Sequence, residues 1–273
     1  MIQEEHRIGP AQFDAVDASA DPGGLIRFLD AASTLPELRA AKQALMERLA
    51  FREARSALDV GCGPGGDVAE MARLMPDGTE VSGLDTSETM IAEARRRTAG
   101  LGPRVSLRVG DAADLPYQDQ AFDICRAATV LQHVPDPARV VREMARVTRP
   151  GGRVGVLEFD QQTAFLDHPD PDTTQIILDT FAEAAAQGRI GRELPRLFRA
   201  AGLVDVSVTP RVILGNAQFW RTLMHAHVAR LQGSGLMSAR QASQWWAELE
   251  SWVRAGDFLA GAVVFIVTAS RRV

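Results

Sequence analysis

The chain has a single lysine, Lys42, a single tyrosine, Tyr117, and two cysteines, Cys62 and Cys125. Two cysteines give neither a disulfide framework nor a metal-ligand set, so a reducing compartment and no bound metal are expected. A lone tyrosine without a following lysine excludes the Tyr-x-x-x-Lys pair that a nicotinamide oxidoreductase would use. Arginine fills the other basic positions, a preference from which no mechanism follows. Positive charge is not in excess: the formal net charge is −5, and without a basic patch nothing draws the chain toward nucleic acid or an acidic membrane. No apolar run reaches the roughly 18 residues of a membrane span. Met1 to Arg7 lacks a basic region followed by an apolar core, so a cytoplasmic protein without membrane attachment is expected. Internal repeats and low-complexity segments are absent. The 273 residues are enough to bury a sizeable core and slightly more than one ordinary domain needs.

What is present is concentrated in Ala57-Leu-Asp-Val-Gly-Cys-Gly-Pro-Gly-Gly66. An apolar run meets Asp59, glycines follow at Gly61, Gly63 and Gly65, and an amphipathic segment begins with Val68, Met71, Ala72 and Met75. The pattern predicts strand, glycine turn and helix, a seat where a ligand can approach bare backbone amides. Gly61, Gly63 and Gly66 also satisfy the dinucleotide fingerprint, so the glycines alone leave the ligand open. Asp85 closes the next apolar run and Asp111 a third. An acid at the second strand end suits a ribose diol in either a nicotinamide or an adenosyl ligand. Asp59, just ahead of the turn, would repel a pyrophosphate and suit an ammonium or sulfonium. Asp111 fits an adenine amine, with the amide of Ala112 for a ring nitrogen. The alternative is that Asp85 and Asp111 only cap the helices that follow.

These residues resemble the class I S-adenosylmethionine (SAM) dependent methyltransferases, in particular a small-molecule branch similar to the ubiquinone and menaquinone enzymes. The resemblance covers Ser56–Phe159. Asp59-Val-Gly-Cys-Gly-Pro-Gly65 matches the first motif, Leu84-Asp-Thr-Ser-Glu-Thr-Met90 the ribose turn, and Gly110-Asp-Ala-Ala-Asp-Leu-Pro116 the adenine segment. Phe122 to Asp136 looks like the fourth strand and its loop, and Arg149-Pro-Gly-Gly-Arg-Val-Gly-Val-Leu-Glu158 like the turn into the fifth. The resemblance implies SAM as cofactor and S-adenosylhomocysteine as product. It assigns cofactor binding to Asp59, Gly61, Cys62, Gly63, Gly65, Asp85, Thr86, Met90, Asp111, Ala112, Arg126 and Ala127. Arg126, in a strand that should be buried, has two readings: a partner for the SAM carboxylate or an acidic substrate, or an ion pair with Asp123 or Glu158.

Strands alternate with helices from Ala54 to Phe159, which predicts an α/β fold: a Rossmann-like, mostly parallel sheet with helices on both faces. Five strands are expected at Ala57–Val60, Glu80–Leu84, Val105–Val109, Asp123–Ala127 and Arg153–Phe159. Val204–Leu214 and Gly261–Ser270 supply two further strands, which the resemblance implies form an antiparallel edge pair and complete seven. The division expected is an N-terminal helical lid over 1–50 and a methyltransferase core over 51–273, with helical insertions at about 160–188 and 215–257. The N-terminal part holds an apolar patch at Leu25–Leu29 and a helix around Pro36–Leu49. Asp160–Gly188 is broken by Pro169 and Pro171 before a helix led by Asp172 or Thr173. Gly215–Asp257 joins strands that a short hairpin could have joined, and Trp245, Leu249 and Trp252 form one helical face within it, read as core packing ahead of function. These segments read as a lid or a dimer interface, which leaves monomer or homodimer open.

His133, after the fourth strand, is the first candidate for a general base, with a loop-shaping or cofactor-side role as the alternative. Asp160, past the fifth strand, is a second. His225 or His227 is a further, weaker candidate for the base, and Trp220 and His225 are expected to touch substrate. His225 and His227 stand at i and i+2, on different helix faces, which excludes a shared metal. His168, between prolines, is expected in an exposed loop. Arg126-Ala-Ala-Thr129 stands where related enzymes carry Asn-Pro-Pro-Tyr or Asp-Pro-Pro-Tyr to modify amide or base nitrogens. O- or C-methylation of an aromatic, polyketide-like or quinone-like small molecule follows as the expectation. The alternatives are a methyltransferase-like protein that holds SAM without transfer, as a cyclase or scaffold, and, remotely, a nicotinamide oxidoreductase.

Overall fold

The structure is a computed structural model that describes residues 10–273. The first nine positions of the expected 1–50 segment therefore lie outside the described residues. Seven strands form one sheet in the order β3-β2-β1-β4-β5-β7-β6. They are β1 (Ser56–Val60), β2 (Glu80–Asp85), β3 (Val105–Val109), β4 (Phe122–Ala128), β5 (Thr148–Leu166), β6 (Leu203–Leu214) and β7 (Ala260–Arg271). The first five pair in parallel, and β7 runs antiparallel to both β5 and β6.

Alternation along the strands divides the core. Leu58, Val60, Cys125 and Ala127 face α5 (Pro137–Val147) and α7 (Ile190–Ala200), whereas Ala57, Ile124 and Leu157 face α2 (Pro36–Leu49) and α3 (Gly66–Leu74). Burial on both sides is why these strands read as continuous apolar runs. The apolar face of α2, Leu38, Ala41, Leu45 and Leu49, lies on the sheet. Gly155 in β5 admits it: a Cβ there would stand 2.7 Å from Leu45 Cδ1 and 2.8 Å from Leu49 Cδ1. Over the carboxyl ends of the strands lie α1 (Pro22–Ser33) and the 3-10 segment before it.

β5 continues past its expected end at Phe159. Its register with β7 shifts between Asp160 and Phe165, and Phe165 and Leu166 then pair with Gly261 and Ala260. The Thr163 hydroxyl bridges the shift by donating to the Asp160 carbonyl at 2.6 Å and accepting from the Val263 amide at 2.8 Å. A side chain thus replaces ladder bonds, which a pattern of apolar alternation does not reveal.

The two insertions pack together as α6 (Pro171–Ala184), α8 (Ala217–Gly233) and α9 (Ala239–Ala255) around Trp220, Trp245, Leu249 and Phe181. α6 starts with Asp170 rather than with Asp172 or Thr173, because the Asp170 carboxylate accepts the Thr173 amide proton at 3.0 Å. His168 is buried, against the expectation of an exposed loop. Its Nδ1 accepts from the Asp170 amide at 2.9 Å, so Nε2 carries the proton and donates to the Trp245 carbonyl at 3.0 Å. The ring stacks on Trp245 at 4.8 Å. Trp252 is only half-buried and donates its indole proton to Asp167 at 3.1 Å. Among the described residues no helix is long and apolar enough to cross a membrane.

Candidate functional site

Between β1 and β4 the strand order reverses, and ligands in open α/β sheets sit at such a point, beyond the carboxyl ends of the strands. A cavity of about 610 Å³ opens there. One side is built by the turn after β1. Gly61 has φ +67°, and a Cβ on it would stand 2.4 Å from Val130 Cγ2, so no other residue fits between turn and loop. Gly63 has φ +50° and also lines the cavity. The amide of Gly63 donates to Asp85 Oδ2 at 2.8 Å and the amide of Ser87 to Oδ1 at 3.0 Å. Burial raises the Asp85 carboxyl above its ordinary value. Ser87 caps α4 (Glu88–Thr98) through Met90, and its hydroxyl donates to Asp17 at 2.6 Å. Asp17 also takes the Glu88 and Thr89 amides, and these bonds, that of the Ser87 hydroxyl above all, hold its carboxyl down to about 2. The strap before α1 is thereby tied to the rim beside Asp85. Asp111 accepts the Ala113 amide proton at 2.8 Å.

Of the residues assigned to the cofactor from sequence, Gly61, Cys62, Gly63, Asp85, Thr86, Met90, Asp111 and Ala112 line this cavity. Gly65 is turned to α4, where a Cβ would meet Ala94 at 2.7 Å, and Ala127 is buried in the sheet. Asp59 and Arg126 lie beneath the turn instead of facing the cavity. Arg126 is fully buried, and its partners are neither Asp123 nor Glu158: Nη2 donates to Asp67 at 2.9 Å, and Nη1 lies 3.6 Å from Asp59. Lys42 closes the network at 2.9 Å from Asp67. Burial pushes the Asp59 carboxyl up to about 6 against the pull of Arg126, while Arg126 and Lys42 hold Asp67 below the carboxylate range. Asp67 and Lys42 both line the cavity. The acid set against a pyrophosphate is therefore Asp67, in the first turn of α3 and on the cavity wall, more than Asp59, which lies beneath the turn.

The far side is built by β5, β6, β7, α6 and α8, which contribute only uncharged lining, with Phe159, Gln161, Phe181, Phe219 and Trp220 prominent. Phe28 of α1 stacks on Phe219 of α8 at 5.5 Å, Phe13 lies 5.9 Å from Phe28, and Phe13 meets the His133 ring at 5.5 Å. The N-terminal strap and the second insertion thus close over the cavity as one row of rings.

His133 lines the cavity from a short 3-10 turn, Leu131–His133. Its Nε2 is 3.1 Å from Gln132 Nε2, and because an amide nitrogen only donates, His133 Nε2 is the acceptor. Thr129, at the end of β4, takes φ +58° and also lines the cavity. Beneath this loop the fully buried Glu158 accepts the Val130 and Leu131 amides, each at 2.7 Å, and burial pushes its carboxyl up to about 8. Asp160 does not reach the cavity: it is fully buried and held by Arg192 Nε and Nη2. His225 is also away from it, its ring 6.2 Å from Trp246, and His227 is buried edge-on to Phe181 and pushed down to about 4 by desolvation. Trp220 lines the cavity wall. Sequence reasoning missed Asp67, Thr129 and Gln161; Thr129 follows the end of β4 and was open to the rule that located Asp85 and Asp111, whereas Gln161 lies within β5.

A methyltransferase domain family matches residues 58–156. The demethylmenaquinone methyltransferase of Halalkalibacterium halodurans is 34% identical over 188 residues, 63% of this chain and 77% of that protein. Among solved structures, YcgJ of Bacillus subtilis has a TM-score of 0.61 at 18% identity, over 86% of this chain and 99% of that one. The [4+2]-cyclase SpnF has 0.51 at 25% identity, over 86% and 81%. The chain belongs to the class I SAM-dependent methyltransferase family, and within it resembles the menaquinone-type enzymes.

Proposed function

We propose that this chain transfers a methyl group from SAM to an oxygen or carbon of a small aromatic, polyketide-like or quinone-like molecule. The observation that carries this reading is one cavity with two unlike halves: glycine amides and acids at the ends of β1, β2 and β3, and an uncharged, ring-rich wall from β5, β6, β7 and the insertions. The first half suits SAM. Asp85 keeps lone pairs for a ribose diol, Asp111 and the Ala112 amide stand at the third strand end, and the bare turn at Gly61 to Gly63 leaves room for an amino-acid tail. SAM, when bound, supplies an electrophilic methyl on a sulfonium. The protein's own work is then alignment and exclusion of water, where ideal orientation lowers a barrier by up to about 7–11 kcal/mol. His133 serves as base only by exchanging its Gln132 contact for the acceptor's hydroxyl. The reading includes a cytoplasmic location and a monomer or homodimer.

The likeness to a cyclase supports a second reading, in which SAM is held and its methyl unused. Mass spectrometry after incubation with methyl-labelled SAM and a panel of phenols, polyketide-like acids and amines separates the two. Label on an acceptor is the expected result. SAM binding by calorimetry with no transfer to any acceptor favours the second reading, and binding of NADH alone overturns both.

A further inference from the structure

Lys42, the chain's one lysine, is carried by α2, outside residues 58–156 that the methyltransferase domain family matches. Lys42 and Leu38, one helical turn earlier, both line the cavity, and the Lys42 side chain keeps 21% of its surface exposed. Its Nζ stands 2.9 Å from Asp67 Oδ2 and 3.2 Å from Oδ1, so both contacts go to one carboxylate. An ammonium has three donors, which leaves it capacity for a ligand. Asp67 does not depend on Lys42 alone, because Arg126 Nη2 also donates to it at 2.9 Å. Lys42 can therefore turn to a ligand without stranding the acid. The start of α3 adds to this: no side chain caps it, and Gly66 and Asp67 both line the cavity, so the positive end of the helix borders the same space. The other cations fit a ligand here less well. Arg126 is fully buried and outside the lining, Arg97 is paired with Asp30 and Glu93, and Arg139 gives its Nε to the Ala113 carbonyl beyond the third strand.

We propose that Lys42 binds the carboxylate of the SAM amino-acid tail, its Nζ donating to that group while Asp67 stays paired with Arg126. The inference rests on reading this half of the cavity as the SAM seat. It gives to Lys42 the role that the sequence pattern offered to Arg126, and it makes cofactor affinity depend on a helix outside the matched domain. The pair also suits the tail as a whole. A tail with an ammonium and a carboxylate meets a carboxylate and an ammonium and adds no net charge to the wall, whereas a pyrophosphate would bring two negative charges to Asp67.

The test is calorimetric titration of the full chain with three probes that share a thioadenosine: S-adenosylhomocysteine, its tail carboxamide, and 5′-methylthioadenosine, which has no tail. S-adenosylhomocysteine is expected to bind at least about ten-fold tighter than the carboxamide, the worth of a hydrogen bond between charged groups. Lys42→Met should erase that ratio while methylthioadenosine affinity is held. The inference is overturned if the unmodified protein does not separate the first two probes, if the variant leaves their ratio unchanged, or if it weakens all three alike, as a purely structural role would. A second measurement needs no variant. Lys42 is the one side-chain amine, so peptide mass spectrometry after treatment with an N-hydroxysuccinimide ester reads it directly. S-adenosylhomocysteine should slow its acylation and methylthioadenosine should not; equal rates with and without S-adenosylhomocysteine overturn the inference even where Lys42→Met fails to fold. Binding of none of the probes to the unmodified protein sinks the SAM reading itself, whereas binding without tail discrimination sinks the role of Lys42 alone.

Discussion

The amide of Gly63 donates to Oδ2 of Asp85 across 2.8 Å, so the end of β2 holds the glycine turn that follows β1. One carboxylate fixes the turn and faces the cavity at once. Asp85→Ala should weaken SAM binding by about one to two decades, the worth of a charge-assisted hydrogen bond. Unchanged calorimetric affinity would remove Asp85 from the ribose role.

Arg126 pairs with the buried Asp59 and with Asp67, and removing it leaves Lys42 on Asp67 but strands Asp59. Arg126→Met should cost about 3–5 kcal/mol, typical of breaking a buried pair from one side. Because Asp59 is already raised to about 6, it can take up a proton, so the loss should shrink below that pH and grow above it. Thermal melts on either side of pH 6 test this. A loss independent of pH would show that packing of the long side chain, not charge, is what Arg126 contributes.

Glu158 gives a second pH dependence of stated sign. Its folded pKa of about 8 lies above the ordinary 4.5, so the native state binds the extra proton. The associated stability is complete below pH 4.5 and is lost as the pH rises through about 8. Glu158→Gln keeps an acceptor for the Val130 and Leu131 amides and removes the titration. Its melting temperature should vary less over that interval; an unchanged slope would clear Glu158.

Asp17 ties the strap to the first turn of α4. Asp17→Ala should speed amide hydrogen exchange over the strap and α1 while leaving the sheet protected. The contribution of its lowered carboxyl is present above its ordinary 3.8 and is lost as the pH falls through about 2, so the effect should persist at neutral pH. Uniform exchange across the chain would argue against a locally pinned strap.

The parts of this site visible in the sequence are those whose function is local. The glycine turn, Asp85 and Asp111 follow apolar runs at once, and strand, turn and helix all leave their period in the chain. Arg126 was misplaced because its partners are set by pairing between distant strands: in the parallel register of β1 and β4 it stands opposite Asp59, 67 positions earlier. His168 was misplaced because proline neighbours speak for a loop but not for what covers it. Asp160 and Gln161 stand past the strand end expected at Phe159, yet only one of the two adjacent side chains reaches the cavity. β5 runs on through both, and neighbouring side chains on a strand point to opposite faces.

β7 comes last of the seven strands in the chain, yet it lies inside the sheet, between β5 and β6. During synthesis those two strands therefore wait with open edges while α8 and α9 are made. The sheet closes only when β7 arrives, over sequence separations that make such pairing slow. That interval exposes β5, the strand that carries Phe159 and Gln161 of the cavity wall, to pairing with another chain.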